Sequence, residues 1–168
     1  MGGQPKNIEE ITKKMVTNYC KDPKTVILAV IPGNADMSTS ESLQLAMALD
    51  PEGKRTIGVI TKIDIMDKGT DATSMLNNEE IPLRLGYVGV KGRSQADIKG
   101  KVKVKEALKE EAKYFSEHPV YSSLSADTVG TTALVTKLTT VLYTLIKENM
   151  PALRTEIVKR RELCARRL

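Results

Sequence analysis

Continuous apolar runs alternate along the chain with stretches whose apolar residues recur every three or four positions. Ile8, Ile11, Met15 and Val16 share such spacing, which predicts a short amphipathic helix from Ile8 to Tyr19, ended by Asp22-Pro23. "TVILAVI" (Thr25 to Ile31) is an unbroken, largely β-branched run, the pattern of a strand covered on both faces. Pro32-Gly33-Asn34 breaks it, and a polar loop holding Asp36 and Ser38 leads to a helix over Ser40 to Leu49, with Ser40 as N-cap. Asp50-Pro51-Glu52-Gly53 reads as a turn and "RTIGVIT" as the second strand. After an irregular segment, "YVGVKG" (Tyr87 to Gly92) is a third short strand, running into "GRSQADIKG". Lys105 to Phe115 is a charged helix. Thr132 to Asn149 repeats leucine, valine and isoleucine at i, i+3 and i+4, a strong amphipathic helix. Pro151 is expected to kink or stop it before a second helical piece, Ala152 to Leu168.

Strands alternating with helices predict an α/β fold with a parallel sheet of about three strands and flanking helices, closed by a long C-terminal helix kinked at Pro151. Such sheets bind ligands at the carboxyl ends of their strands. All three predicted strands end there in polar loops: Asn34 to Asp36, Thr61 to Asp67, and Gly92 to Gln95.

The 168 residues suffice for one domain with a real core, and 40% hydrophobic with 28% charged content is globular. No run approaches a membrane span, and "MGGQPKNIEE" lacks the apolar stretch of a secretory signal, so a cytoplasmic location is expected. Cys20 and Cys164 lack metal-ligand spacing and read as incidental reduced thiols. A net charge of +5 permits an anionic partner. With no tryptophan and one phenylalanine, stacking on single-stranded nucleic acid is disfavoured.

Thr61-Lys62-Ile63-Asp64 fits the [NT]-K-x-D pattern of guanine recognition, placed directly after a predicted buried strand. Guanine presents N1–H and the N2 amine side by side, and the Asp64 carboxylate can accept from both. Adenine offers an acceptor at N1, so the same carboxylate repels it, and a site left with unpaired polar groups discriminates strongly. The Lys62 stem can lie along the base while its ammonium reaches the ribose. Thr61 would pin the loop through its hydroxyl.

The wider stretch "DPEGKRTIGVITKIDIMDKGTDA" closely resembles the dynamin superfamily of large GTPases, which includes dynamins, plant dynamin-related proteins and Mx proteins. The resemblance continues through "ILAVIPGNADMSTSESLQLA", "IPLRLGYVGVKGRSQADI", "EALKEEAKYFSEHPVYSSL" and "KENMPALR", from about Gln4 to about Arg154. It implies that Thr61, Lys62 and Asp64 recognise the base and that Asp67 is a second acidic contact to the nucleotide. "KGRSQ" aligns with the next nucleotide loop; Arg93, Ser94 and Gln95 match it, while Gly92 replaces an asparagine and removes that side chain's contact. Asp36 matches a residue that reaches across a dimer of GTPase domains. The resemblance places 1–131 as the carboxyl-terminal half of a P-loop-type GTPase domain and 132–168 as its last helix and a hinge helix that signals onward.

A P-loop, G-x-x-x-x-G-K-[ST], is missing from these residues: Gly53-Lys54 carries the core, but Ala48 stands five positions earlier. Asp50 to Gly53 fits D-x-x-G only as a turn before a strand. "GGQPKNIEEI" matches the family just after its true D-x-x-G switch, so the phosphate half of the site and the switch threonine are absent. A truncated form, an alternative start or a partial gene each produces this pattern. The expectations are weak GTP or GDP binding and no hydrolysis by this chain, with Mg²⁺, catalysis, membrane remodelling or antiviral action belonging to the full-length protein. The alternative is a non-catalytic regulatory module that pairs with a full-length dynamin-like partner. Self-association is expected in either case, and any membrane contact is expected to be indirect. His118 and the basic tail read as a turn residue and a solvated helix face.

Overall fold

A computed structural model describes residues 5–67 and 69–165. Helix α1 (Ile8–Cys20) precedes strand β1 (Ile27–Pro32), then α2 (Glu41–Leu49), β2 (Thr56–Thr61), α3 (Thr73–Leu76), β3 (Tyr87–Gly89), α4 (Gln95–Lys99), α5 (Val104–Glu117) and α6 (Thr131–Ala165). The strands form a parallel sheet in the order β1-β2-β3, with Ile27 beside Thr56 and Gly58 beside Tyr87. The α/β class, the three parallel strands and the long final helix are those the pattern predicts. Ser40 caps α2 as expected, its hydroxyl accepting from the Leu43 amide.

β2 is the spine of the core. Every residue from Thr56 to Ile60 is buried, and Ile57 and Ile60 are completely so. Ile31, Met37, Leu43, Tyr87, Phe115 and Tyr121 pack around it or on its neighbours. One buried turn fixes how α2 hands over to β2. The Asp50 carboxylate accepts from the amides of Lys54 and Arg55 (3.2 and 2.9 Å) and from the Thr56 hydroxyl (2.7 Å). The Arg55 guanidinium donates to the carbonyls of Thr25 and Leu49, both at 2.8 Å, which ties the start of β1 to the end of α2.

β1 differs from its prediction. It alternates buried and exposed residues, and Leu28 and Val30 stand 42% and 50% exposed. The uniform apolar run reads as a strand covered on both faces, yet here α1 and α2 leave between them a cavity of about 380 Å³, lined by Val16, Cys20, Leu28, Val30, Leu45 and Leu49. Strand β1 also ends the described sheet. An apolar edge strand of this kind templates pairing with another chain. Light scattering over a concentration series should therefore show self-association, reduced by Leu28→Lys or Val30→Lys. A monomer at every concentration would contradict this expectation.

Pro151 does not stop the last helix, which continues through it to Ala165. The ring removes the amide that would have bonded the Lys147 carbonyl, and the surrounding turns carry the helix past the gap. The stretches on either side of Pro151 form the one long C-terminal helix of the fold-class reading; residues 166–168 lie outside the described ones. The apolar stripe of α6 is open, with Leu142, Ile146, Leu153 and Ile157 between 46% and 62% exposed. No described helix is long and apolar enough to cross a membrane.

Candidate functional site

The carboxyl ends of the three strands lie side by side. The Gly33 amide donates to the Thr61 carbonyl (2.7 Å) and the Val90 amide to the Ile60 carbonyl (2.8 Å), so the loops leaving β1 and β3 flank the loop leaving β2. That central loop carries Thr61, Lys62, Asp64 and Asp67. The Thr61 hydroxyl donates to the Ile31 carbonyl (3.3 Å), which pins the start of the loop to β1. Lys62 adopts a left-handed backbone, φ 58°, a conformation costly for a residue with a Cβ and common where a site requires it. Ile63 then drops into the core, 2% exposed, which seats a single helical turn over Ile63–Ile65. With Ile63 as anchor, Lys62 and Asp64 are both left at the surface.

Ile63 is received by Gly89 at the end of β3. A Cβ on Gly89 would come within 2.6 Å of the Ile63 Cδ1 and 3.1 Å of a Leu76 methyl. The bare backbone there lets the loop sit down on the sheet.

The loop after β3 is held by internal bonds. The Ser94 hydroxyl donates to the Asp97 carboxylate (2.7 Å) and accepts from its amide (3.2 Å), and the same carboxylate accepts from the Ser94 amide (2.8 Å). This reciprocal cap opens α4. It holds the Asp97 carboxyl below its ordinary value, first through the Ser94 hydroxyl and amide, with Lys91 and Arg93 adding positive charge. The Arg93 guanidinium donates to the Val102 carbonyl (3.0 Å), and Gln95 is exposed at the first position of α4. A Cβ at Gly92 would meet nothing within 4 Å, so open space lies where the missing asparagine side chain would stand.

Asp36 caps the short turn Met37–Thr39 by accepting from the Ser38 amide (2.8 Å). Hydrogen bonds from Ser38 lower its carboxyl below the usual range. The cap leaves the exposed carboxylate at the rim of the β1 loop. Asp67 is exposed as well, its carbonyl accepting from Thr70.

Two supports escape the sequence reading. Glu111 is 3% exposed and accepts from the Lys91 amide (2.9 Å), the Thr131 amide (3.0 Å) and the Thr131 hydroxyl (3.0 Å). In "KEEAKYF" it looks like one more solvated charge; its only signal is standing four residues before buried Phe115, on the same helix face. Tyr114 lies under the Lys91 ammonium, 5.7 Å from the ring centre. Its phenol is pushed up by burial, then by Tyr121 and by the Asp64 carboxylate.

Two decoys resolve as structure. His118 stacks on Tyr121 at 4.2 Å, and its Nδ1 accepts from the amides of Val120 and Tyr121. Asp50, first residue of the D-x-x-G match, is consumed by the buried turn described above. Burial alone would raise its carboxyl, but hydrogen bonds from Thr56, Arg55 and Lys54 outweigh this and hold it below its ordinary 3.8. Its stabilisation is therefore full above that value and is lost as pH falls through the lower folded value. Asp50→Asn should cost about 1–3 kcal/mol at neutral pH. It should also flatten the acid limb of the unfolding curve below the ordinary value of 3.8, read by circular dichroism.

Among the described residues, no group of three His, Cys, Asp or Glu could hold a metal ion. The 380 Å³ cavity beside β1 has a largely apolar lining and lies away from these loops. The exposed Lys62, Asp64 and Gln95 instead lie at the carboxyl ends of β2 and β3.

Known proteins match the chain over nearly its whole length. The dynamin family profile matches residues 3–63 and that of the dynamin central region matches residues 71–168. The chain is 47% identical over 159 residues to Dynamin-A of Dictyostelium discoideum, covering 95% of this chain and 18% of that protein. It is 50% identical over 157 residues to Dynamin-related protein 3B of Arabidopsis thaliana (94% and 20%), and 46% identical over 157 residues to Dynamin-2 of Homo sapiens (94% and 18%). The chain belongs to the dynamin family. It spans at most a fifth of the length of these curated relatives.

Proposed function

We propose that this chain is the guanine-recognition part of a dynamin-type GTPase. The observation that carries the reading is the Thr61–Asp64 loop, seated at the end of the central strand by buried Ile63, with Lys62 left-handed and the Asp64 carboxylate at the surface. No ion pair engages Asp64 among the described residues, so both its oxygens can accept from a guanine edge. Lys62 covers the base, Asp67 and Gln95 border it, and the open space at Gly92 leaves room beside it. Arg93 reaches the nucleotide by releasing the Val102 carbonyl, and Ser94 acts through the cap that holds its loop.

The triphosphate, Mg²⁺ and the attacking water fall to a P-loop and switches that these 168 residues do not contain. In the complete protein the reaction is GTP hydrolysis, coupled to self-assembly through the Asp36 loop and to membrane remodelling or antiviral action in the cytoplasm. In this division 1–131 form part of the GTPase domain, and 132–168 form its last helix and the hinge. This chain alone binds GTP or GDP weakly and does not turn it over. A second reading, a regulatory module that docks on a full-length dynamin-like partner, is favoured by the open apolar face of β1.

Calorimetric titration tests the first reading. GTP and GDP should bind and ATP should not. Asp64→Asn should lose about 10²-fold or more of the guanine affinity, by placing an amide donor against guanine donors. The same variant should accept xanthine nucleotides, whose 2-oxo group pairs with that amide. Equal binding of ATP, or guanine binding unchanged by Asp64→Asn, would refute it.

A further inference from the structure

One buried hydroxyl beside the β2 loop has no role in the guanine reading. Tyr121 stands in the single helical turn Tyr121–Ser123 that follows α5, and it is 2% exposed. Its ring is clamped: His118 stacks on it at 4.2 Å, and Phe115 and Tyr114 meet it at 6.0 and 6.4 Å between ring centres. The Tyr121 amide also donates to His118 Nδ1 (3.3 Å), so backbone and ring are fixed together. A ring packed on so many sides holds its hydroxyl in one place.

That hydroxyl is spent on a segment distant in sequence. It accepts from the Ala72 amide (3.1 Å), 49 positions away, and donates to the Met66 sulfur (3.8 Å), 55 positions away. Ala72 is completely buried, and its carbonyl accepts from the Leu76 amide (2.9 Å) at the start of α3. Met66 follows the helical turn Ile63–Ile65 and borders the β1 loop as well, since a Cβ at Gly33 would lie 3.1 Å from its sulfur. Met66 and Ala72 bracket Asp67, and Asp64 stands two residues before Met66. Burial pushes the Tyr121 phenol above its ordinary 10.0 against the pull of the Ala72 amide, with Asp71 adding to the rise, so the hydroxyl keeps the proton it donates.

We propose that Tyr121 is a positioning residue of the guanine site: its hydroxyl ties down both ends of the segment carrying Asp67 and so fixes where Asp64 and Asp67 face the base. The inference rests on the guanine reading of the Thr61–Asp64 loop. Core packing accounts for the ring but not for the hydroxyl. A phenylalanine would fill the same space among His118, Phe115 and Tyr114, yet it would leave the buried Ala72 amide without this acceptor. Ile63 anchors the start of the loop in the core, and Tyr121 anchors its far end. The two carboxylates between these anchors are held before a base arrives, which lowers the ordering cost of binding it.

Tyr121→Phe tests it, by calorimetric titration of GDP and amide hydrogen exchange on the same chain. GDP affinity should fall about fivefold. Exchange at the Ile65 and Thr70 amides, which donate to the Lys62 and Asp67 carbonyls, should accelerate, while exchange at Val59 in β2 should not. Tyr87→Phe is the control. It also removes one buried tyrosine hydroxyl, the donor to the Ile81 carbonyl (2.7 Å), and should leave GDP affinity and both loop amides as they are. GDP affinity equal in the unaltered chain and Tyr121→Phe would overturn the inference and leave the guanine reading standing. So would an equal loss in Tyr87→Phe, loop amides that exchange as before, or exchange that accelerates as much at Val59. An unaltered chain that binds no GDP would overturn both.

Discussion

Glu111→Ala is expected to lower stability by about 3 kcal/mol, because it strips the acceptor from two amides and a hydroxyl that have no other described partner. For a chain of this size that is a fall of roughly 10 °C in Tm. The arithmetic is not three full hydrogen bonds, since removing Glu111 also removes the cost of holding a carboxylate that is 3% exposed. Glu111→Gln keeps one oxygen but turns an amide donor toward donors, so it should fall between the two. The position of the bonds matters more than their sum. Lys91 opens the loop that carries Arg93, Ser94 and Gln95, and Thr131 is the first residue of α6. One side chain therefore fastens the loop after β3 and the start of the final helix to α5. Hydrogen exchange at the Lys91 and Thr131 amides should accelerate together in Glu111→Ala, ahead of global unfolding. Exchange that accelerates at only one of them would show that the carboxylate does not couple the two segments.

Glu111 also shows where the sequence stops being legible. The three parallel strands, the α2 cap at Ser40 and the placement of Thr61 to Asp67 at a strand end all follow from local pattern. Each depends on neighbours in sequence: a β-branched run, a hydroxyl before a helix, a polar tetrapeptide after an apolar one. What escaped depends on partners distant in sequence. Glu111 acts on residues 20 positions away on either side, and no composition rule separates it from Glu110. Leu28 and Val30 are as apolar as Ile27 and Ile31, so the run could not reveal which face of β1 stays open. Pro151 has a strong local preference that the surrounding helix overrides, because the turns on either side keep their own bonds. Ser94 is a mixed case: the resemblance assigns it to a nucleotide loop, while its hydroxyl is spent on the α4 cap, a role equally local and readable from the Asp97 three residues on.

The second large effect lies at Gly58, in the middle of β2. Residues there are paired on both sides, with Ala29 and Tyr87 as neighbours in register. The Tyr87 ring lies flat across the glycine, and a Cβ at Gly58 would fall 1.9 and 2.2 Å from two of its ring carbons. No rotation of a flexible side-chain end relieves that contact, because the obstacle is a rigid aromatic ring with 1% exposure whose hydroxyl donates to the Ile81 carbonyl at 2.7 Å. Gly58→Ala should therefore expel the ring or part the strands, costing about 3 kcal/mol, the upper end of ordinary overpacking. Tyr87→Leu alone should also destabilise, through the vacated volume and the orphaned carbonyl. In the double variant, however, the new methyl occupies part of the space the ring has left. The pair should be more stable than the sum of the single changes by at least about 1 kcal/mol. The Tyr87 phenol offers an independent readout: burial, with Glu80 nearby, pushes it up to about 12. If Gly58→Ala expels the ring without unfolding the chain, ultraviolet titration should show that phenol returning toward its ordinary 10.0. Strict additivity in the cycle, with the phenol still near 12, would mean that the sheet yields instead of the ring. The Thr61–Asp64 loop, three residues further along the same strand, would then move with it.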